Sequence, residues 1–257
     1  MSLIEEKEII RVIDNQPEHL IDQVIKEVPY VLKINEKTVV SFVCTPEFIE
    51  DLSIGYIFSQ GIIDRINQVN KIEIREENII NINIENYERK KFTNNIMTSG
   101  ERSLNSLDEI IESLRCHEGM GRINPDTIYG LTNKLFEAST LHAATGGVHN
   151  AALTSFAEDF FEFRKDIGRH NAVDKLIGYC LTKEISLENK ILVFSGRVSS
   201  EIIKKVARAK IPIIISVSAP TNLAIEIAKK VNITLIGFVR GKKMNIYNDC
   251  GRVAIHW

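Results

Sequence analysis

A chain of 257 residues, 44% hydrophobic and 26% charged, is long enough to bury a full core as one large domain or two smaller ones, and has the balance of a soluble globular protein. No apolar run approaches membrane-spanning length, and the acidic start, broken by Glu5, Glu6 and Glu8, is neither a signal peptide nor a basic transit sequence, so the expected compartment is the cytoplasm. Net charge is −2, yet residues 1–115 hold 13 Lys and Arg against 21 Asp and Glu while the remainder holds 19 against 13; the positive second half suggests an anionic ligand or partner without the dense basic runs of a nucleic-acid binder.

From Tyr30 to Cys44 two β-rich runs separated by Asn35, Glu36 and Lys37 predict a hairpin. Thr45 is the expected cap of a helix with Pro46 at its first position, Phe48, Leu52 and Tyr56 on one face and Gly61 at its close. Residues 72–84 alternate as two half-buried strands meeting around Glu76, Glu77 and Asn78. The polar segment from Tyr87 to Arg102, with Arg89, Lys90 and Lys91 near its start, reads as a mobile loop ahead of a helix through Leu104, Leu107, Ile111 and Leu114, and spacing alone makes Ser99 a helix cap. Gly119, Gly121 and Pro125 mark a connection into a helix capped by Asn124. A boundary near residue 120 divides an N-terminal α+β domain, 1–120, from a C-terminal domain, 121–257.

In Thr145-Gly146-Gly147-Val148-His149-Asn150 the paired glycines let backbone pass close to a ligand, with His149 near the start of a helix; a satisfied structural histidine is the competing reading. Asp166 to Lys175 concentrates Gly168, Arg169, His170 and Asn171 where a helix begins, followed by Ala172, Val173, Leu176, Ile177 and Tyr179 on one face. A helix N-terminus, a guanidinium and an imidazole suit a phosphate, whereas an ordinary capped loop would pair Asp166 with Arg169. Strands at Ile191–Phe194, Ile213–Ser216 and Ile233–Phe238 alternate with helices, a βαβαβ unit with parallel strands. Ligands of such sheets bind beyond the carboxyl ends of the strands, where the loops carry Ser195, Arg197, Ser218, Thr221, Arg240, Lys242 and Lys243. Routine helix-starting chemistry and a solvated lysine pair explain each loop singly, but not their shared side. Cys44, Cys116, Cys180 and Cys250 stand singly, with no Cys/His quartet, so neither disulfides nor a metal site is expected.

Cys44-Thr45-Pro46, Gly61-Ile62-Ile63, Thr145 to His149, Asp166 to Lys175, Ser195-Gly196-Arg197, Ser218-Ala219-Pro220-Thr221 and Phe238-Val239-Arg240-Gly241, taken in order over residues 40–247, closely resemble the formate dehydrogenase accessory protein family, FdhD. The resemblance implies an accessory sulfur carrier in the cytoplasm. It would take sulfur from a cysteine desulfurase to the molybdenum cofactor, in its bis(molybdopterin guanine dinucleotide) form, before insertion into formate dehydrogenase. It further implies a homodimer and an α/β fold whose C-terminal half is a cytidine-deaminase-like three-layer arrangement. Phe238, Val239, Arg240, Gly241, Lys242 and Lys243 correspond to the family's cofactor-binding stretch, and Gly146, Gly147, Arg169 and His170 are placed in the same pocket.

One departure qualifies the sulfur role. Where the family carries Cys-Gly-x-Cys, with its first cysteine as persulfide carrier, this chain reads Ser99-Gly100-Glu101-Arg102. A serine cannot hold a persulfide, which needs a thiolate that attacks sulfur and later releases it. Cys116, beside His117, is the substitute thiol; Cys44 and Cys180 lie in apolar patterns and are expected to be buried. A non-catalytic cofactor chaperone is therefore the alternative to a sulfur carrier. Deaminase chemistry is disfavoured, since His149-Asn150-Ala151 and Ser195-Gly196-Arg197 stand where a zinc deaminase needs His-x-Glu and Pro-Cys-x-x-Cys. A nucleotide-processing enzyme using His149 or His170 as acid or base is the third possibility.

Overall fold

Short apolar segments, alternating over Val28–Ile34 and uninterrupted in the parallel strands, build two sheets, and the helices that join them share their apolar faces. The computed structural model describes residues 2–85, Tyr87 and 121–255; Ser99, Cys116, the loop through Arg102 and the helix expected over 104–114 lie outside the described residues. The first sheet has four strands, β3 (Val28–Ile34), β4 (Lys37–Cys44), β5 (Val69–Arg75) and β6 (Ile79–Ile84), in the order β4-β3-β6-β5 with β3 and β6 parallel. The expected hairpin closes on two residues, Asn35 (φ 47°) and Glu36 (φ 66°), because paired positive φ values match the twist of the strands, and Lys37 already belongs to β4.

Ahead of these, β1 (Ile4–Ile13) and β2 (Gln16–Ile25) form a separate two-stranded sheet turning at Asp14 and Asn15. In sequence this stretch shows only its acidity, because its charges interrupt the alternation that marks a strand.

Helix α1 (Ile49–Ser59) follows, but Thr45 is not its cap. The helix begins at Phe48, whose backbone is left-handed (φ 55°) and supplies no side-chain bond, while Thr45 is drawn into a buried ion pair described below. Gly61 (φ 72°) closes the helix as expected.

The second sheet contains β7 (His149–Ser155), β8 (Phe161–Asp166), β9 (Lys190–Phe194), β10 (Ile213–Ser216), β11 (Thr234–Arg240) and β12 (Lys243–Asn248), in the order β12-β11-β10-β9-β7-β8. β9, β10 and β11 are parallel, as their alternation with helices predicts. Two expectations fail at its ends. Residues 149–153 form a strand, not a helix, because Ala151, Ala152 and Leu153 are wholly buried between β8 and β9; the glycine pair instead ends a helix, Gly146 being its left-handed C-cap (φ 64°). The stretch from Val239 to Lys243 is not an open loop: β11 runs to Arg240, turns at Gly241 (φ 55°) and returns antiparallel as β12.

Alternate residues of the six strands serve different layers. Leu192, Phe194, Ile214 and Leu235 join a core with α4 (Arg169–Thr182), α5 (Ser200–Arg208) and α6 (Asn222–Lys230), continuous with α1 and with Leu32, Ile34, Ile80 and Ile82 of the four-stranded sheet. Ile191, Val193, Ile213, Ile215 and Ile236 pack on the other side against Ile128, Leu131 and Leu135 of α2 (Pro125–Glu137), which Asn124 caps by accepting from the Thr127 amide. A short helix, α3 (Thr140–Thr145), leads into the glycine pair.

α1 and α4 approach until backbone meets backbone. A methyl group on Gly178 would lie 1.8 Å from the Asp51 carbonyl oxygen, and one on Gly55 1.8 Å from that of Asp174. Gly130, in α2, has nothing within 4 Å of the same position. Gly55→Ala or Gly178→Ala should therefore cost at least about 1–3 kcal/mol of overpacking, whereas Gly130→Ala should be stabilising by roughly 0.5–1 kcal/mol. Chemical denaturation of the three variants checks the contrast.

Candidate ligand site at the edge of the parallel strands

The decapeptide from Asp166 to Lys175 crosses from the end of β8 into α4, and its first duty is structural. Asp166 and Lys175 are both fully buried, with Nζ 2.6 Å from Oδ2. Lys175 also donates to the Thr45 hydroxyl (2.9 Å) and carbonyl (3.1 Å), and the same hydroxyl donates to Asp166 Oδ2 at 2.9 Å. Asp166 Oδ1 accepts from the Gly168 amide (2.8 Å) and Asn171 Nδ2 (2.9 Å). Asp166 thus pairs with Lys175 and not with Arg169, so the capped-loop reading fails in its central contact. Gly168 serves close approach: a methyl there would lie 2.7 Å from Asn171 Nδ2.

β8 runs antiparallel to β7, and β7 antiparallel to β9, so α4, α5 and α6 all begin at one edge of the sheet, beyond β8, β9 and β10. Such helix ends present unpaired amides and positive dipole ends to an anion. The loops between them are tied together. Ser195 exchanges bonds with Asn150, its amide donating to the Asn150 carbonyl (2.9 Å) and its hydroxyl accepting from the Asn150 amide (2.8 Å). The Ser216 hydroxyl donates to the Gly196 carbonyl (2.9 Å), the Thr221 amide to the Val198 carbonyl (3.0 Å) and the Phe238 amide to the Ser218 carbonyl (3.2 Å).

A pocket of about 390 Å³ opens at this edge. It brings together Gly146, Gly147, His149 and Ser195, and adds Phe136, His142, Val148, Ile167 and Val217, which sequence reasoning did not single out. Phe136 and His142 stack at a tilt with ring centres 5.8 Å apart, and His142 Nδ1 lies 3.0 Å from the Val148 carbonyl. The one sequence signal for His142 is its place one helical turn before the glycine pair.

His149 stands opposite Asp166 across the β7–β8 ladder. Burial, chiefly, and then the charge of Arg169 hold its pKa below the ordinary 6.5, and Arg197 acts in the same direction. Arg169 packs beside Gly196, and its Nε is buried without a hydrogen-bond partner among the described residues. His170 is held against α5, with Nε2 2.9 Å from Glu201 Oε2 but off the axis of a hydrogen bond. Burial first and Arg169 second lower its pKa.

Thr221 is occupied as the cap of α6, its hydroxyl accepting from the Ala224 amide at 3.3 Å. Arg197 is exposed, and so are Phe238, Arg240, Gly241, Lys242 and Lys243 at the β11–β12 turn, with Val239 buried between them. Phe238 has a left-handed backbone (φ 53°), a conformation disfavoured for an aromatic residue, at a bulge beside Ser218.

Of the described cysteines, Cys44 and Cys180 meet the expectation of burial, and Cys250 is a half-buried free thiol. Cys44 and Cys180 are buried, and burial pushes both thiols up to about 12, so neither forms the thiolate that sulfur transfer needs. Among the described residues no group of three or more His, Cys, Asp and Glu is arranged to hold a metal ion.

Two outcomes test this geometry. Lys175→Met preserves the length of the stem but leaves Asp166 buried without its cation, and should cost about 3–5 kcal/mol in a denaturant titration. His149 should titrate below 6.5 by NMR, and Arg169→Gln should move its midpoint up. Because the unfolded chain takes up that proton first, this histidine's contribution is present above pH 6.5 and is lost as pH falls below it.

Comparison with known proteins points to one group for the chain. A sequence model described as the FdhD/NarQ family matches residues 25–254. A protein of Bacillus pumilus (strain SAFR-032) named sulfur carrier protein FdhD is 38% identical over 239 residues, covering 91% of either chain. Another of that name from Listeria monocytogenes (serovar 1/2a) is 36% identical, over 99% of this chain and 100% of its own length. The crystal structure of a candidate formate dehydrogenase accessory protein from Desulfotalea psychrophila has the same fold, with a TM-score of 0.81 at 23% identity over 98% of this chain and 100% of that one.

Proposed function

The chain belongs to the FdhD/NarQ family, and from that premise we propose that it serves formate dehydrogenase as an accessory sulfur-carrier protein acting in maturation of the molybdenum cofactor. The finer reading is that the edge of the parallel strands binds that cofactor in its bis(molybdopterin guanine dinucleotide) form, and that a cysteine desulfurase supplies the sulfur. Self-association into a homodimer and a cytoplasmic location belong to the same reading; among the described residues no helix is long and apolar enough to cross a membrane.

The observation that carries the ligand reading is the buried, unpartnered Nε of Arg169, set where three helices begin and beside Arg197 and His149. A phosphate oxygen supplies what an unpaired guanidinium nitrogen lacks. Arg169 and Arg197 would hold phosphate oxygens, while the pocket walls of Phe136, Val148 and Val217 accept one planar ring. At about 390 Å³ the pocket is at the small end for ligands, so the rest of a dinucleotide would lie along the edge towards Arg240, Lys242 and Lys243. The bound cofactor itself supplies the metal centre that receives sulfur. What this chain contributes is charge neutralisation, orientation and a neutral His149.

One observation favours a second reading: the buried thiols Cys44 and Cys180 are held protonated, and the resemblance sets Ser99, not a cysteine, at the family's persulfide position. On that reading the chain is a cofactor-binding chaperone in which the sulfur step is absent, and Cys116 is the thiol that would decide between the two.

Incubation with a cysteine desulfurase and cysteine, followed by peptide mass spectrometry, separates them. An added sulfur on Cys116 supports the carrier; an unmodified chain that still binds guanosine diphosphate supports the chaperone. For binding itself, Arg197→Ala should weaken guanosine diphosphate roughly 10- to 100-fold by calorimetry, the range expected for one charged hydrogen bond. Failure of the unaltered protein to bind that nucleotide at all sinks the ligand reading.

A further inference from the structure

Arg169 and His170 open α4, and Ser199 stands at the N-terminal cap of α5, the helix after the next strand. The two helix starts come together. A methyl on Gly196 would lie 3.1 Å from Arg169 Cβ, and His170 Nε2 lies 2.9 Å from Oε2 of Glu201, in the first turn of α5. Three buried atoms of this cluster, Arg169 Nε, His170 Nε2 and the Ser199 hydroxyl, have no hydrogen-bond partner among the described residues. Buried polar atoms are almost always paired, so three unpaired ones on two neighbouring helices call for an acceptor from outside the chain.

Glu201 is the acceptor that the chain itself supplies, and it is a poor one. Its carboxylate is close to His170 but off the axis of the N–H, and its side chain is 55% exposed. Such a contact is worth little and is readily given up. Asp174, the other carboxylate whose charge reaches His170, is already taken by Lys205 and the Ser59 hydroxyl.

We infer that Arg169, His170 and Ser199 form a notch for one phosphoryl group, and that Glu201 is its displaceable occupant in the unliganded chain. The inference rests on the reading that this edge binds a phosphate-bearing nucleotide, and adds to that site Ser199 and Glu201, which the sequence motifs do not include. Chemistry selects the ligand class. A guanidinium N–H, an imidazole N–H and a hydroxyl all donate, and a tetrahedral phosphate has oxygens enough to accept from all three, whereas a carboxylate offers two in one plane. A terminal phosphate also carries about −1.5 to −2 charges at neutral pH, against the single charge of Glu201.

Calorimetry of the full chain with guanosine diphosphate and with guanosine tests the notch. Glu201→Ala should tighten guanosine diphosphate about two- to fivefold, the worth of one exposed ionic contact. Guanosine affinity should stay unchanged, because guanosine has no phosphate to compete for the place. The gain should survive high salt, which screens a distant charge but does not restore a removed neighbour. Glu226→Gln, which neutralises an exposed carboxylate of α6, should alter neither ligand. Ser199→Ala should weaken guanosine diphosphate roughly tenfold while thermal unfolding stays unchanged, since its hydroxyl makes no capping bond to lose. Unchanged or weaker nucleotide binding by Glu201→Ala overturns the inference, as does a gain that salt abolishes or that guanosine shares equally. A Ser199→Ala chain that binds as tightly as the unaltered one overturns it too. The functional reading falls separately if the unaltered protein binds no guanosine diphosphate. Inorganic phosphate then judges the notch alone: by NMR the His170 ring nitrogens should respond to it at lower concentration in Glu201→Ala than in the unaltered chain, and no response in either overturns the notch.

Discussion

A lysine ammonium and an aspartate carboxylate, both wholly withdrawn from water, fix the geometry on which the rest of this molecule depends. Lys175 and Asp166 attract each other strongly in that setting, but the cost of desolvating them is repaid only because Thr45 places a hydroxyl, an amide and a carbonyl on the pair and Asn171 and Gly168 complete it. Three chain segments therefore meet with little tolerance: the end of β4, the end of β8 and the second turn of α4. The N-terminus of α4 cannot drift relative to the strand edge. Arg169 and His149 are held at that edge.

Packing continues what the ion pair begins. One residue before Lys175, Asp174 receives Lys205 at 2.7 and 2.8 Å and the Ser59 hydroxyl at 2.8 Å, so adjacent residues on α4 bind it to different neighbours. Gly55 and Gly178 let α1 sink onto α4 until carbonyl groups occupy the space a side chain would take. A polar lock and a steric one thus act on the same pair of helices. Among the described residues, the exposed prong of Arg240, Lys242 and Lys243 has no comparable anchoring beyond its turn at Gly241.

Local pattern revealed much of this architecture. The parallel β9-β10-β11 unit was legible because its isoleucine runs are short, uninterrupted and followed by amphipathic helices. The cap at Asn124 and the turn at Gly61 were legible for the same reason, being decided within a few residues. Misreadings occurred where distant partners decide. Thr45 looks like a cap until Asp166, 121 residues away, takes its hydroxyl. Ala151 to Leu153 would suit a helix, yet the slot between β8 and β9 makes them a strand. In the site, His149, Ser195 and the glycine pair carried their own chemical signals. Phe136 and His142 did not, since only the fold brings α2 and α3 to the pocket mouth.

The reach of the Thr45 contact has a consequence during synthesis. A ribosome adding about 5–20 residues per second makes Asp166 on the order of ten seconds after Thr45, given the 121 residues that separate them. Through that interval the apolar underside of the four-stranded sheet and of α1 has no α4 to cover it. The N-terminal half thus emerges as an unfinished half-core, and its demand for protection by a chaperone is set by the position of its partner along the message.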